Sequence, residues 1–279
     1  MVKKNVKNFF KYRYLLQEIV RKNIKLQYRN SVLGVFWTFL QPLLTVLVLA
    51  VIFGAIFGRN EEEVKCFPIY LLCGRLMFEF YTQATKRAMR SIRSSAGVIK
   101  KVYVPKYIYP LGNVISSFVT FLISLSVLVL FLAYYINFTD KDIHLSHYIL
   151  YSFVPIINLL LLSTGVGMIL CVLEVFFKDI EYLYDVFCML LFYMTPMFYT
   201  VTSVFGRDPA KMSTTQQAFL FIIKGNPLYG IVSSFRNCVL LARPMQPIHV
   251  WYPFVFSLVM LGIGMLMFYK KQDKFILHI

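Results

Sequence analysis

Arg75 and Glu79 stand four residues apart inside an apolar segment. A helix there puts a guanidinium and a carboxylate on one face, where they can pair and lower the cost of burying either charge. Ionisable residues at membrane depth are by default candidates for lining a transport path. The alternative is a shallow site near the outer surface where the two merely pair. His144 and His147 are spaced HxxH, but they lack nearby carboxylates or a third ligand, so they read as solvent-exposed histidines and not as a metal site. Cys66, Cys73, Cys171, Cys188 and Cys238 show no CxxC spacing and read as small buried hydrophobes. There is no GxxxxGK[ST], GxGxxG or HExxH, and no Ser/His/Asp grouping. The expectation is a chain with no catalytic residue, metal or cofactor of its own, so any energy for work enters from elsewhere.

The remaining charge is basic. A net charge of +16 would suit a nucleic-acid binder, but the Lys and Arg residues fall between apolar runs instead of forming a stripe on a soluble fold. Anionic lipid headgroups are their expected partners, and nucleic acid is not. Residues 82–106 hold Lys86, Arg87, Arg90, Arg93, Lys100, Lys101 and Lys106 with no acid among them. A helix is expected up to Ala96, ended by Gly97. This basic connection is shaped to be gripped by a partner.

The elements that position these groups follow from hydropathy. The chain is 58% hydrophobic and 15% charged, with a mean hydropathy of +0.65, which indicates an all-α polytopic membrane protein. About 30 polar and basic residues precede the first apolar run, so no signal peptide is expected. Between Arg29 and Arg59 no residue is charged, and a helix over 32–57 spans roughly 39 Å, enough to cross a bilayer core. Five further spans are expected at 67–81, 111–135, 149–176, 186–205 and 251–269, making a single domain over 1–279. Residues 6–29 form an amphipathic helix lying in the membrane plane, its basic side carrying Lys7, Lys11, Arg21, Lys22, Lys25 and Arg29. Pro196 should kink the fifth span or free backbone carbonyls there. Two short apolar runs within 216–242, interrupted at Lys224–Pro227 and at Arg236, are too short to span and are expected to be re-entrant. Placing both termini in the cytoplasm puts 20 Lys and Arg inside against 8 outside, the arrangement the positive-inside rule favours.

Five stretches carry a resemblance. They are Tyr28-Arg29-Asn30-Ser31-Val32-Leu33-Gly34 with Trp37 and Gln41-Pro42-Leu43; Gly97 through Lys106 with Pro110; Phe177-Lys178-Asp179-Ile180; Thr195-Pro196-Met197-Phe198-Tyr199; and Gly225-Asn226-Pro227-Leu228. In this order and at these depths the chain resembles, over essentially its whole length, the membrane subunit of type-2 ABC transporters. Within that family it resembles the Wzm/TagG-like exporters of lipid-linked polysaccharide, O-antigen and teichoic acid.

The resemblance implies a homodimer of six-span permease subunits in the bacterial plasma membrane, bound to two cytoplasmic ATPase subunits that hold ATP and Mg. It implies that the 82–106 connection seats on the ATPase through Lys86, Arg87, Arg90, Arg93, Lys100 and Lys101. The short runs become outer gate helices, with Asn226, Pro227 and Arg236 as gate residues. First and fifth spans line the path, so Trp37, Phe192, Tyr193, Phe198 and Tyr199 would slide along sugar rings, joined by Arg75 and Glu79. The cargo implied is an undecaprenyl-pyrophosphate-linked glycan, its diphosphate attracted by Arg21, Lys25 and Arg29. Val104 and Lys178 depart mildly from the family pattern, while Arg75 and Glu79 stand where apolar or aromatic residues are expected. Two other readings stay open: a type-2 exporter of small lipids or drugs, and a membrane-embedded glycan-modifying transferase using Glu79 or Glu174.

Overall fold

A computed structural model of the chain describes residues 12–29, 31–56, 66–102, 104–138, 147–201, 204 and 213–278, and every regular element among them is helical. In chain order these are α1 Arg13–Gln27, α2 Trp37–Ile56, α3 Phe67–Ser94, α4 Ala96–Ile99, α5 Ile108–Phe138, α6 Phe153–Phe176, α7 Ile180–Met194, α8 Thr214–Gly225, α9 Pro227–Val239, α10 Pro247–Lys271 and α11 Phe275–His278. Short 3-10 turns lead into α2 and α6. Three stretches are long and apolar enough to cross a membrane: Ile108–Phe138, His147–Phe176 and Pro247–His278. A fourth is added if α8 and α9, bent by 75° at Asn226, count as one.

Helix α3 is the pillar. Its buried residues, from Ile69 through Ile92, lie on every side of the helix, and α5 and α6 pack along its length. Behind it, α6 packs on α10. Hydrophobicity alone does not drive helices together in lipid, so close backbone approach and hydrogen bonds must hold such pairs. Both are present. A Cβ at Gly165 would come within 3 Å of the Leu261 and Met260 backbone, and one at Gly264 would lie 2.7 Å from the Gly165 carbonyl. Asn158 Nδ2 donates to the Val250 carbonyl at 3.3 Å, and Ser257 Oγ to the Asn158 carbonyl at 3.3 Å.

Helices α2 and α7 stand at the periphery. α2 buries the stripe Thr38, Pro42 and Val46 and leaves Leu44, Leu47, Val48 and Val51 open. α7 buries Tyr184, Cys188 and Leu191 and leaves Tyr182, Val186, Met189, Leu190 and Tyr193 open.

The helix boundaries differ from the hydropathy reading in three places. No break separates the 67–81 segment from the basic residues after it: α3 runs 28 residues, about 42 Å, through Arg93. The helix continues because its basic side chains find partners on neighbouring elements, described below. The expected 186–205 span is instead α7, which begins at Ile180 and stops at Met194; of the two outcomes expected at Pro196, a kink or freed backbone carbonyls, the helix end gives the second. The two short runs lie at 214–225 and 227–239, inside the expected 216–242 at one end and beyond it at the other. Of the amphipathic 6–29 helix, Arg13–Gln27 is helical and lays Leu16 and Ile19 against Gly112 at the start of α5. Residues 6–11 and His144 lie outside the described residues.

Candidate functional site

The basic half of α3 faces the elbow between α6 and α7. Lys86 Nζ lies 2.6 Å from Asp185 Oδ1, Arg90 pairs with Glu181, and Arg93 Nη1 lies 2.7 Å from Glu174 Oε1. α7 runs antiparallel to α3, so 86 and 90 meet 185 and 181 in register, whereas α6 runs parallel to α3, so Ser91 meets Cys171 and Arg93 meets Glu174. Arg93 Nη2 also donates to the Glu174 carbonyl at 2.9 Å, and Tyr184 Oη donates to Thr85 Oγ1 at 2.7 Å beneath the ladder. Arg87 points elsewhere, donating to Gln27 Oε1 of α1 at 3.1 Å. Four of the six cations expected to meet an ATPase are therefore engaged within the chain. Lys100 and Lys101 are exposed at the tip beyond α4, beside the exposed Val98 and Val102. The other lysine of this connection, Lys106, donates to the Gln272 carbonyl at 2.6 Å, and Phe275 of α11 is fully buried in the cluster that holds Ile99 of α4. The C-terminal turn thus fastens the tip to α10.

Between α2, α3 and α5 lies a cavity of about 70 Å³, lined by Trp37, Gln41, Glu79, Gln83, Thr120 and Ser124 among others. Glu79 accepts from Gln83 Nε2 at 2.9 Å, while Arg75 Nε sits 3.6 Å from Glu79 Oε2 and is buried without a hydrogen bond. The expected Arg75/Glu79 pair therefore forms on one face of α3. Its Glu79 end opens onto this cavity, beside Gln27 and Tyr28 at the end of α1. Arg21, Lys25 and Arg29 are exposed along and just beyond α1, Arg21 lying 3.4 Å from Glu18.

At the other end of α3 sits Arg236, on α9 and 6% exposed. Its Nη1 donates to the Pro196 carbonyl at 2.7 Å, Nη2 to Met197 at 3.2 Å and Nε to Tyr70 at 3.2 Å, and its guanidinium lies 3.5 Å over the Tyr70 ring. Tyr70 Oη donates to the Tyr199 carbonyl at 2.9 Å, and Asn226 Nδ2 to Thr195 Oγ1 at 3.0 Å. Asn226 also caps α9, accepting from Leu228 N at 3.0 Å, with Pro227 at the first helical position. Two of the three expected gate residues, Asn226 and Arg236, therefore meet the broken end of α7, and Pro227 starts the helix between them. A cation satisfied by neutral carbonyls is the arrangement irregular backbone needs at membrane depth, where no water can serve it.

The aromatic residues divide. Phe192 stacks between Phe78 and Phe198 at 5.3 and 5.2 Å, as packing. Trp37 and Tyr193 are exposed, and Tyr199 is half-buried with its hydroxyl donating to the Tyr193 carbonyl at 3.0 Å. Sequence reading missed Tyr70, Asp185, Glu181 and the hydroxyl stripe Ser117, Thr120 and Ser124. The signal for the carboxylates was their spacing, which mirrors that of Lys86 and Arg90; the stripe repeats at the helical three-to-four interval. Among the described residues no group of three or more His, Cys, Asp or Glu could hold a metal ion.

The profile of the family described as ABC-2 type transporter matches residues 14–240. The chain is 26% identical over 266 residues to an O-antigen export system permease protein RfbA of Klebsiella pneumoniae, covering 94% of this chain and 93% of that one. It is 26% identical over 232 residues to the protein of the same name in Myxococcus xanthus, covering 83% and 82%. Polysialic acid transport protein KpsM of Escherichia coli is 22% identical over 259 residues, covering 92% and 93%.

Proposed function

The chain belongs to the ABC-2 type transporter family, and on that premise we propose that it is the membrane subunit of an ATP-driven polysaccharide exporter, working with a separate ABC ATPase. The observation that carries this reading is coverage. O-antigen and polysialic acid transport proteins align with this chain from near one end to near the other, at 93% of their own lengths. It is an integral membrane protein by its family and its apolar helices.

In finer detail, six segments cross the bacterial plasma membrane, α2, α3, α5, α6, α7 and α10, with both termini cytoplasmic. α8 and α9 form an outer re-entrant gate, and α1 lies in the interface. Two copies form a homodimer whose conduit runs between them, served by two ATPase subunits. The open apolar faces of α2 and α7 support this: in a lone subunit they pack on nothing. The exposed Val98, Lys100, Lys101 and Val102 tip is the surface offered to the ATPase. Trp37, Tyr193 and Tyr199 contact passing sugars, and the cargo is a glycan carried on undecaprenyl pyrophosphate. Nothing among these observations favours a drug exporter or a transferase.

The test is reconstitution of the chain with its partner ATPase in liposomes. Undecaprenyl-pyrophosphate-linked glycan should stimulate ATP hydrolysis and reach the opposite leaflet, read by lectin accessibility. Stimulation by small amphiphiles but not by the lipid-linked glycan would overturn the reading.

A further inference from the structure

We propose that the cavity between α2, α3 and α5 is a subsite for the sugar nearest the lipid, taking a hydroxyl- or amide-bearing arm of that sugar. This rests on the exporter reading and deepens it. The cavity's hydrogen-bond inventory carries the inference. Thr38 Oγ1 donates to the Val35 carbonyl, Ser117 Oγ to Asn113, Thr120 Oγ1 to Ser116, and Ser124 Oγ to both Thr38 and Thr120. Gln83 Nε2 donates to Glu79. These hydroxyl protons are already spent on backbone carbonyls, so the α5 wall offers lone pairs, joined by the Glu79 carboxylate, while the amides of Gln27, Gln41 and Gln83, the Tyr28 hydroxyl and the Trp37 indole N–H supply donors. Such a lining, its one carboxylate balanced by Arg75 at 3.6 Å, suits sugar hydroxyls and an amide, which both donate and accept.

Size and position agree. About 70 Å³ is room for roughly two water molecules, which matches a hydroxymethyl or acetamido arm and not a whole oligosaccharide. The indole of Trp37 forms one wall and offers an apolar face to the ring that carries the arm. Gln27 and Tyr28 border the opening, which places it next to Arg29 in the chain. Exposed cations thus stand outside for phosphate, and a polar wall without net charge stands inside for sugar. Glu79, out of place for an apolar pathway, gains a purpose: its carboxylate, held by Arg75 and Gln83, is an acceptor for a sugar hydroxyl or amide N–H.

The chain has two tryptophans, Trp37 and Trp251. Trp251 lies far along the sequence on α10, 65% exposed, so a Trp251→Phe chain reports Trp37 alone. With the full complex in nanodiscs, undecaprenyl-pyrophosphate-N-acetylglucosamine should shift the Trp37 emission and half-stimulate ATPase at about tenfold lower concentration than bare undecaprenyl pyrophosphate. Glu79→Gln and, separately, Gln83→Leu should remove that tenfold advantage. Equal responses to the two lipids in the parent chain, or variants that shift both alike, would overturn the subsite and leave the exporter reading standing. No ATPase response to either lipid would overturn both.

Discussion

Arg236 Nη1 reaches the Pro196 carbonyl at 2.7 Å, from a helix on the far side of the α8–α9 bend. One side chain therefore ties the α8–α9 pair to the broken end of α7 and, through Tyr70, to the start of α3. The pyrrolidine at 196 cannot continue the helix, and the carbonyls released there need another donor. Charge-assisted bonds of this kind contribute about 1.5–3 kcal/mol each.

Replacing Arg236 should then cost more than any surface arginine. Arg236→Met removes all three bonds, leaving the Met197 carbonyl without this donor and the Pro196 carbonyl with the longer 3.5 Å bond from Tyr70 Oη, and Arg236→Lys offers a point charge where a planar fork is needed. Both variants should lower the unfolding temperature of the detergent-solubilised protein by several degrees, with the lysine recovering less than half of the loss. The measurement is a thermal unfolding scan; a lysine variant as stable as the parent would contradict the fork geometry.

The ladder on α3 predicts an order of effects. Glu174 is 2% exposed at its side chain and Asp185 is 47% exposed. Removing Asp185 leaves Lys86 free to reach water and should cost under about 1 kcal/mol. Removing Glu174 strands a part-buried Arg93 and should cost about 3 kcal/mol. The charge swap Arg90→Glu with Glu181→Arg should restore most of what either single change loses, read as a coupling of about 1 kcal/mol in a double-mutant cycle. Strictly additive losses would mean that the contact carries no energy.

Much of this was legible beforehand, and the exceptions share a cause. The spans at 111–135, 149–176 and 251–269 lie inside observed helices because an uncharged run in lipid has no alternative but to be helical. A helix through Lys86 to Arg93 was legible, but its continuity with the 67–81 segment was not, because the partners Asp185, Glu181 and Glu174 arrive from about 80 to 100 residues further along. Arg236 likewise reads as an interruption in an apolar run, and only the tertiary structure supplies its carbonyls. Local pattern finds elements; long-range polar partners decide where they end. The cavity was hidden for a related reason, since Ser117, Thr120 and Ser124 come from one helix, Glu79 and Gln83 from another and Gln41 from a third.

The α6–α10 contact offers an internal control among glycines. A methyl at Gly165 meets the Leu261 backbone, which cannot swing aside, whereas one at Gly262 meets nothing within 4 Å. Gly165→Ala should destabilise by about 1–3 kcal/mol. Gly262→Ala should be neutral, or stabilising by up to about 1 kcal/mol through helix propensity. Unfolding of the two variants in the same detergent compares them directly. Equal effects would mean that the helices are farther apart than the Gly165–Gly264 approach requires.

The tip beyond α4 should be where the ATPase is gripped, because it is where cations are left over. Lys100 and Lys101 are exposed next to Val98 and Val102, whereas Lys86, Arg90 and Arg93 already face carboxylates. Lys100→Glu with Lys101→Glu should therefore cut recovery of the ATPase in co-purification at least several-fold, while the permease itself stays monodisperse. Lys86→Ala should leave that recovery nearly unchanged. Because exposed charges are screened within about 8 Å at physiological salt, loss of the wild-type complex should also steepen as ionic strength rises. The reverse pattern, with Lys86→Ala releasing the ATPase and the tip variants retaining it, would move the docking surface onto α3 and make its ion pairs exchangeable.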